Sequence, residues 1–261
     1  MTNPQTPQSQ APAAGGAQYV YGVTRADASL PENLTGLEDG PVGLIAHERC
    51  AALTSDLPQG RALGERADLV AHQRVLDALV ESGVVVLPFR FGAALSSRDA
   101  VRDELLASNS DRLGQVLDQL DGRVELRLKG TYVQEVVLRE VMNDEPQIAE
   151  LNQRLRDIPP EAADAAYYDR VRLGELIAQA LEQRREDDGQ VLLEALAPAA
   201  EAIVRRSPMR EEDVLDASFL VERDRVTEFE QSVDKLGKIH GERIRIRLIG
   251  PLAPYDFVPE A

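Results

Sequence analysis

Apolar positions recur along this chain at two spacings, and each switch of spacing marks an element. Alternation, the mark of a strand with one buried face, is clearest over 123–132. There Val124, Leu126 and Leu128 oppose Glu125, Arg127 and Lys129. It returns over 243–249, with Ile244, Ile246 and Leu248 on the inner side. Shorter apolar runs at 19–24, 42–46, 51–54, 84–87 and 214–222 read as further strands.

The 3.6-residue period takes over between them. Residues 65–81 predict a helix with Leu69, Leu76, Leu79 and Val80 on one stripe and His72 among them. Residues 98–107 and 111–120 predict two more, the second with Leu113, Val116, Leu117 and Leu120 in phase. Residues 133–142 follow. Asp144 is placed to cap a next helix bearing Ile148, Leu151 and Leu155, and Pro159-Pro160 breaks that helix. A long helix over 161–185 carries Ala166, Leu173, Leu176, Ile177 and Ala180 on its face. Asp187-Asp188-Gly189 reads as a turn and 190–206 as a returning helix, which together make a helical hairpin. Residues 224–238 form the last helix, with Val226, Phe229, Val233 and Leu236 inward.

This order predicts an α+β protein of two domains, since 261 residues suffice for two of ordinary size. Residues 1–18, rich in Pro, Gln, Ala and Gly, read as a disordered tail. Residues 19–121 form an N-terminal α+β domain. Residues 122–261 form a C-terminal ferredoxin-like domain with the helical hairpin inserted. If the strands at 123 and 243 are neighbours, Arg127, Arg243, Arg245 and Arg247 gather on one sheet face. A carboxylate-rich helix of the same chain is the expected cover, and an acidic partner the other possibility.

Charge narrows the function. A formal net charge of −16 argues against a phosphate-backbone ligand and an anionic membrane surface. No apolar run reaches the ~18 residues of a membrane span. The N-terminus lacks the pattern of a signal peptide, and a lone cysteine suits a reducing cytoplasm.

Candidate chemistry is sparse. His47 and Cys50 have H-x-x-C spacing but no second ligand pair, so no metal site is expected. Nothing around Cys50 would activate a thiolate, and His72 on an apolar stripe reads as a packed, hydrogen-bonded side chain. No phosphate-binding or dinucleotide loop and no nucleophile elbow occurs, so no cofactor and no catalytic residue is assigned.

One stretch stands out. Val84–Leu87 leads into Pro88-Phe89-Arg90-Phe91-Gly92, where an extended chain sends both rings one way and the guanidinium the other. Ser96, with Asp99 three residues on, is placed to cap the next helix. Arg90 is expected to pair with a carboxylate of the same chain, its alternative being presentation to a partner.

Leu87-Pro88-Phe89-Arg90-Phe91-Gly92, preceded by His72-Gln73-Arg74-Val75-Leu76, resembles the signature of the gas vesicle accessory family GvpF/GvpL. Tyr19-Val20-Tyr21-Gly22-Val23 resembles that family's opening strand, and Gly250–Phe257 resembles its closing motif, GPWPPYSF. Leu252, Ala253 and Asp256 depart from that motif, so a role carried by its Trp does not transfer. The resemblance implies an N-terminal α+β domain followed by a modified ferredoxin-like one. It also implies a non-enzymatic assembly factor, cytoplasmic and associated with gas vesicles. The partners it implies are the apolar shell subunit and other gas vesicle accessory proteins. The residues proposed for contact are Phe89, Arg90, Phe91, Tyr255 and Phe257, aromatic points in a chain that is 4% aromatic. The alternative is a small-molecule-binding or catalytic ferredoxin-like protein with a pocket that brings His72 together with Cys50.

Overall fold

The structure is a computed structural model and describes residues 16–159 and 166–259. The expected tail falls mostly on residues 1–15, outside the described residues. Gln18, placed in that tail by its sequence, instead opens the first strand. It is 1% exposed, and its Nε2 donates to Asp56 Oδ1 at 2.7 Å. Contacts divide the chain into residues 1–124 with 251–261, and residues 125–250. The sequence drew one boundary at Asp121 and gave the end of the chain to the second domain; in the fold that end packs in the first unit.

The first unit holds a sheet of order β2-β3-β1-β4, with β5 also on β1. The strands are β1 Gln18–Arg25, β2 Gly43–His47, β3 Cys50–Asp56, β4 Leu87–Pro88 and β5 Ala94–Leu95. β1 lies inside the sheet and is buried along nearly its whole length. Helix α1, Arg66–Glu81, buries Ala71, His72, Val75, Leu76, Leu79 and Val80. Leu69, which the helical stripe included, is 49% exposed. Gly83 reverses the chain at the end of α1 with φ +78°, a conformation costly for a Cβ. Gly83 N–H bonds Val80 O at 3.1 Å and Val84 N–H bonds Leu79 O at 3.0 Å, the paired closure of a Schellman end. Beyond β5 the short helix α2 (Arg98–Ala100) continues through a π-helical segment, Val101–Leu106, and a 3-10 turn. It then enters α3, Ser110–Leu120. Ser97, not Ser96, caps α2: its Oγ accepts Ala100 N–H at 3.0 Å.

The second sheet has the order β7-β8-β6-β9. Its strands are β6 Arg123–Tyr132, β7 Ala202–Arg205, β8 Asp213–Glu222 and β9 Ile244–Leu252. Between β6 and β7 run α4 Gln134–Asp144, α5 Pro146–Arg156 and α6 Tyr167–Leu196. Helix α7, Val226–His240, joins β8 to β9. Leu126, Leu128, Phe219, Val221, Phe229, Val233, Leu192 and Leu196 form one core, with Ile246 and Leu248 against it. Each such side chain contributes about 1.5–3 kcal/mol on burial.

The expected helical hairpin is not there. α6 is one helix of 30 residues running straight through Asp187-Asp188-Gly189, and the segment meant to return ends in strand β7. Residues 161–165 of the proposed hairpin lie outside the described residues. Asp and Gly favour turns when nothing else claims them; here tertiary contacts claim both. Asp188 accepts Tyr132 Oη at 2.6 Å and two Arg243 nitrogens at 2.8 Å each. Gly189 is buried where a Cβ would stand 3.1 Å from Val214 O, so its lack of a side chain lets α6 approach β8.

The arginine cluster also divides. Arg127 forks onto Asp216 of neighbouring β8 at 2.7 and 2.6 Å, so a strand, not a helix, supplies its carboxylate. Burial works to raise the Asp216 pKa, but Arg127 and Lys129 overcome it and hold the carboxyl below the usual range. Arg243 turns to Asp188 of α6 and to Glu140 of α4. Arg245 and Arg247 are exposed, and no ion pair joins either to another described residue.

Candidate functional site

The stretch after α1 is not the expected strand. Only Leu87 and Pro88 pair, opposite Val23 and Gly22, and Val84–Val86 lie outside regular structure. Phe89 N–H still bonds Tyr21 O, and Ala93 O already accepts Val20 N–H, each at 2.9 Å. Adjacent residues of β1 therefore face residues four apart in sequence, and Arg90-Phe91-Gly92 is squeezed out of the edge as a bulge. Gly92 completes it with φ +99°.

The bulge separates the two rings. Phe91 lies against His72 and Tyr19, with ring centroids 5.8 and 6.0 Å away. Phe89 instead lines a groove of about 300 Å³ with Leu87, Leu105, Leu113, Val116 and Val258. The expectation of both rings on one side assumed an extended chain, which the bulge prevents. Arg90 stands exposed at the tip, and no ion pair or hydrogen bond joins its side chain to another described residue. The expected internal pair is absent among the described residues because the bulge lifts Arg90 away from the sheet.

Beneath the bulge lies a buried polar network. His72 is 3% exposed; its Nδ1 is 2.8 Å from Tyr19 Oη, and its Nε2 is 3.1 Å from Phe89 O and 2.9 Å from Tyr255 Oη. A carbonyl only accepts, so the proton sits on Nε2 and Nδ1 accepts from Tyr19. Tyr19 Oη in turn accepts Gly92 N–H at 3.2 Å. Burial lowers the His72 pKa, against the opposing pull of the Phe89 carbonyl, and keeps the ring neutral. Burial likewise pushes Tyr19 up to about 12. Tyr21 stacks on His72 at 5.6 Å between centroids, and its Oη accepts Leu37 N–H at 2.9 Å. Opening strand, α1, bulge and closing turn thus meet at one imidazole. Phe257 lies half-buried in that closing turn, Tyr255–Phe257.

A protein-family model described as gas vesicle synthesis protein GvpL/GvpF matches residues 17–259. The chain belongs to the GvpL/GvpF family. It is 37% identical over 243 residues to gas vesicle protein F of Streptomyces sp. strain CB03234, spanning 92% of this chain and 98% of that protein. It is 31% identical over 269 residues to gas vesicle protein L of the same strain, spanning 92% of each. Among solved structures it resembles the gas vesicle protein GvpF from Anabaena sp. PCC7120. That likeness has a TM-score of 0.83 at 26% identity, over 95% of this chain and all of that one.

In the GvpL/GvpF chain Phe91, the Phe89 carbonyl and Tyr255 meet at His72, but none of the hydrogen bonds or ring contacts of His72 reaches Cys50. That thiol lies in β3, its Sγ 3.9 Å from Ser110 O, and burial raises its pKa so that it stays protonated. The polar neighbours of His72 are Tyr19, Phe89 and Tyr255, not Cys50. Among the described residues no group of three His, Cys, Asp or Glu could hold a metal ion. None of their helices is long and apolar enough to cross a membrane. Sequence reasoning missed the groove residues Leu105 and Val258, because nothing local tells a groove wall from a core position.

Proposed function

We propose that the chain is a non-enzymatic assembly factor that holds the apolar gas vesicle shell subunit, and other accessory proteins, in the cytoplasm before incorporation. The observation that carries this reading is the Phe89 groove. Phe89, Leu105, Leu113, Val116 and Val258 offer apolar walls to a subunit whose own apolar surface would otherwise drive aggregation. Arg90, exposed beside that groove, supplies a planar donor for a carboxylate or backbone carbonyl of the client. Phe91, Tyr255 and Phe257 are proposed to extend the contact face, Phe91 and Tyr255 both touching His72 and Phe257 lying half-buried in the closing turn.

Membership of the family supports the setting, and the protonated, buried Cys50 supports a role without turnover. The second unit is read as a modified ferredoxin-like fold. Its sheet order, with β6 and β8 central and α7 linking β8 to β9, supports that reading. Co-purification of tagged chain with the shell subunit tests the function. Wild type should retain the subunit, and Leu105→Glu, which charges the groove wall, should lose it while melting normally. Equal retention by both proteins, or no retention by wild type, overturns the reading.

A further inference from the structure

A second concave surface lies within the 125–250 unit, between α4 and α6. Tyr132, Val137, Leu138 and Leu181 wall a cavity of about 290 Å³. Leu138 is 43% exposed. The volume is at the lower limit of small-molecule pockets, roughly 300–1,000 Å³, and suits one or two side chains more than a cofactor.

The rim is acidic. Glu135 and Glu211 line the mouth, and neither carboxylate meets a cation among the described residues. Arg185 is the one cation in the lining: its Nη1 lies 2.9 Å from Glu182 and its Nη2 donates to Glu211 O at 3.1 Å, while its buried Nε has no hydrogen-bond partner among the described residues. Glu212, also at the mouth, has only a 3.7 Å approach from Arg210. Three carboxylates against the single guanidinium of Arg185 leave the mouth net negative, which selects against anions and against purely apolar surfaces. Charge complementarity names the occupant.

We propose that this cavity anchors an apolar side chain of a partner protein's basic segment, a leucine-like residue flanked by lysine or arginine. The apolar side chain fills the space over Leu138 and Leu181, and the flanking cations meet Glu135 and Glu211. The net charge of −16 speeds the approach of such a segment at low salt. The inference rests on the reading of the chain as a holder of other proteins, but it uses a different surface and a different partner chemistry.

The test uses the full chain and a short fluorescein-labelled peptide with leucine and lysine at helical spacing, followed by anisotropy. Wild type should bind saturably and weaken with salt. Leu138→Glu should weaken Kd by about tenfold or more. The double variant Glu135→Lys, Glu211→Lys, altered only at exposed positions, should lose most of the salt dependence and weaken binding comparably. It keeps the test decisive should Leu138→Glu fail to fold. A peptide with serine for leucine should bind no variant tightly. The proposal is overturned if wild type shows no saturable binding, if the serine peptide binds as well, or if the variants bind like wild type. None of these outcomes bears on shell-subunit retention by the Phe89 groove, which is read in a separate co-purification.

Discussion

Replacing His72 tests whether one imidazole joins the opening strand, the bulge and the closing turn. His72→Ala removes hydrogen bonds to Tyr19 Oη, Phe89 O and Tyr255 Oη and leaves a hole where the ring stacked on Tyr21. A partly relaxed cavity plus one or two buried polar groups left unpaired, at about 1–3 kcal/mol each, totals roughly 3–5 kcal/mol. Tyr255→Phe should cost much less, about 1 kcal/mol, because Nε2–H keeps the Phe89 carbonyl. The pH dependence has a definite sign. The folded-state pKa of His72 lies below the ordinary 6.5, so the unfolded chain takes up its proton first. Stability from this site is complete above about pH 6.5 and is lost as pH falls toward the folded pKa, by at most about 1.4 kcal/mol per pH unit. The assay is urea unfolding at about pH 7.5 and about pH 5.5. Tyrosine fluorescence and circular dichroism follow it, since the chain has six tyrosines and no tryptophan. His72→Gln should flatten the difference between the two pH values. A wild-type pH difference in His72→Gln, or a Tyr255→Phe cost equal to that of His72→Ala, would refute the reasoning.

Three further outcomes are expected. Arg90→Ala should shift stability by no more than about 0.5 kcal/mol and still weaken shell-subunit co-purification, because the side chain is exposed and unpaired among described residues; a clear drop in Tm would show a hidden partner. Asp188→Ala strands Arg243 and the Tyr132 hydroxyl in a half-buried site and should cost about 3–5 kcal/mol by urea unfolding, and a near-neutral result would mean Glu140 suffices for Arg243. Cys50 should resist iodoacetamide in the folded chain at neutral pH and react only on unfolding, as followed by mass spectrometry; rapid labelling of native protein would contradict its burial and raised pKa.

Periodicity alone located most of the elements, because a strand or helix with one buried face must write that face into its sequence. The alternation of 123–132 and 243–249 became β6 and β9, neighbours in one sheet, and the stripe of Phe229, Val233 and Leu236 became the buried face of α7. The motifs around Phe89 and Tyr255 were legible as well, though not as a site: the Phe89 carbonyl, 17 positions from His72, and Tyr255, 183 positions from it, come together at that ring. What the sequence could not decide were the places where a distant group outbid a local preference. Asp188 and Gly189 prefer a turn, but an ion pair with Arg243 and a close approach to β8 are satisfied only if α6 runs through them. Val84–Val86 have strand propensity, but β1 offers its edge only to Leu87-Pro88 and β5. Arg90, Phe91 and Gly92, between the Phe89 and Ala93 bonds to β1, must leave the edge, and it is this bulge that sends Phe89 to the groove, Phe91 to His72 and Arg90 to solvent. Local patterns are set by nearest neighbours along the chain. Registers, ion pairs and bulges are set by contacts whose loop-closure cost is met only once the whole fold has formed.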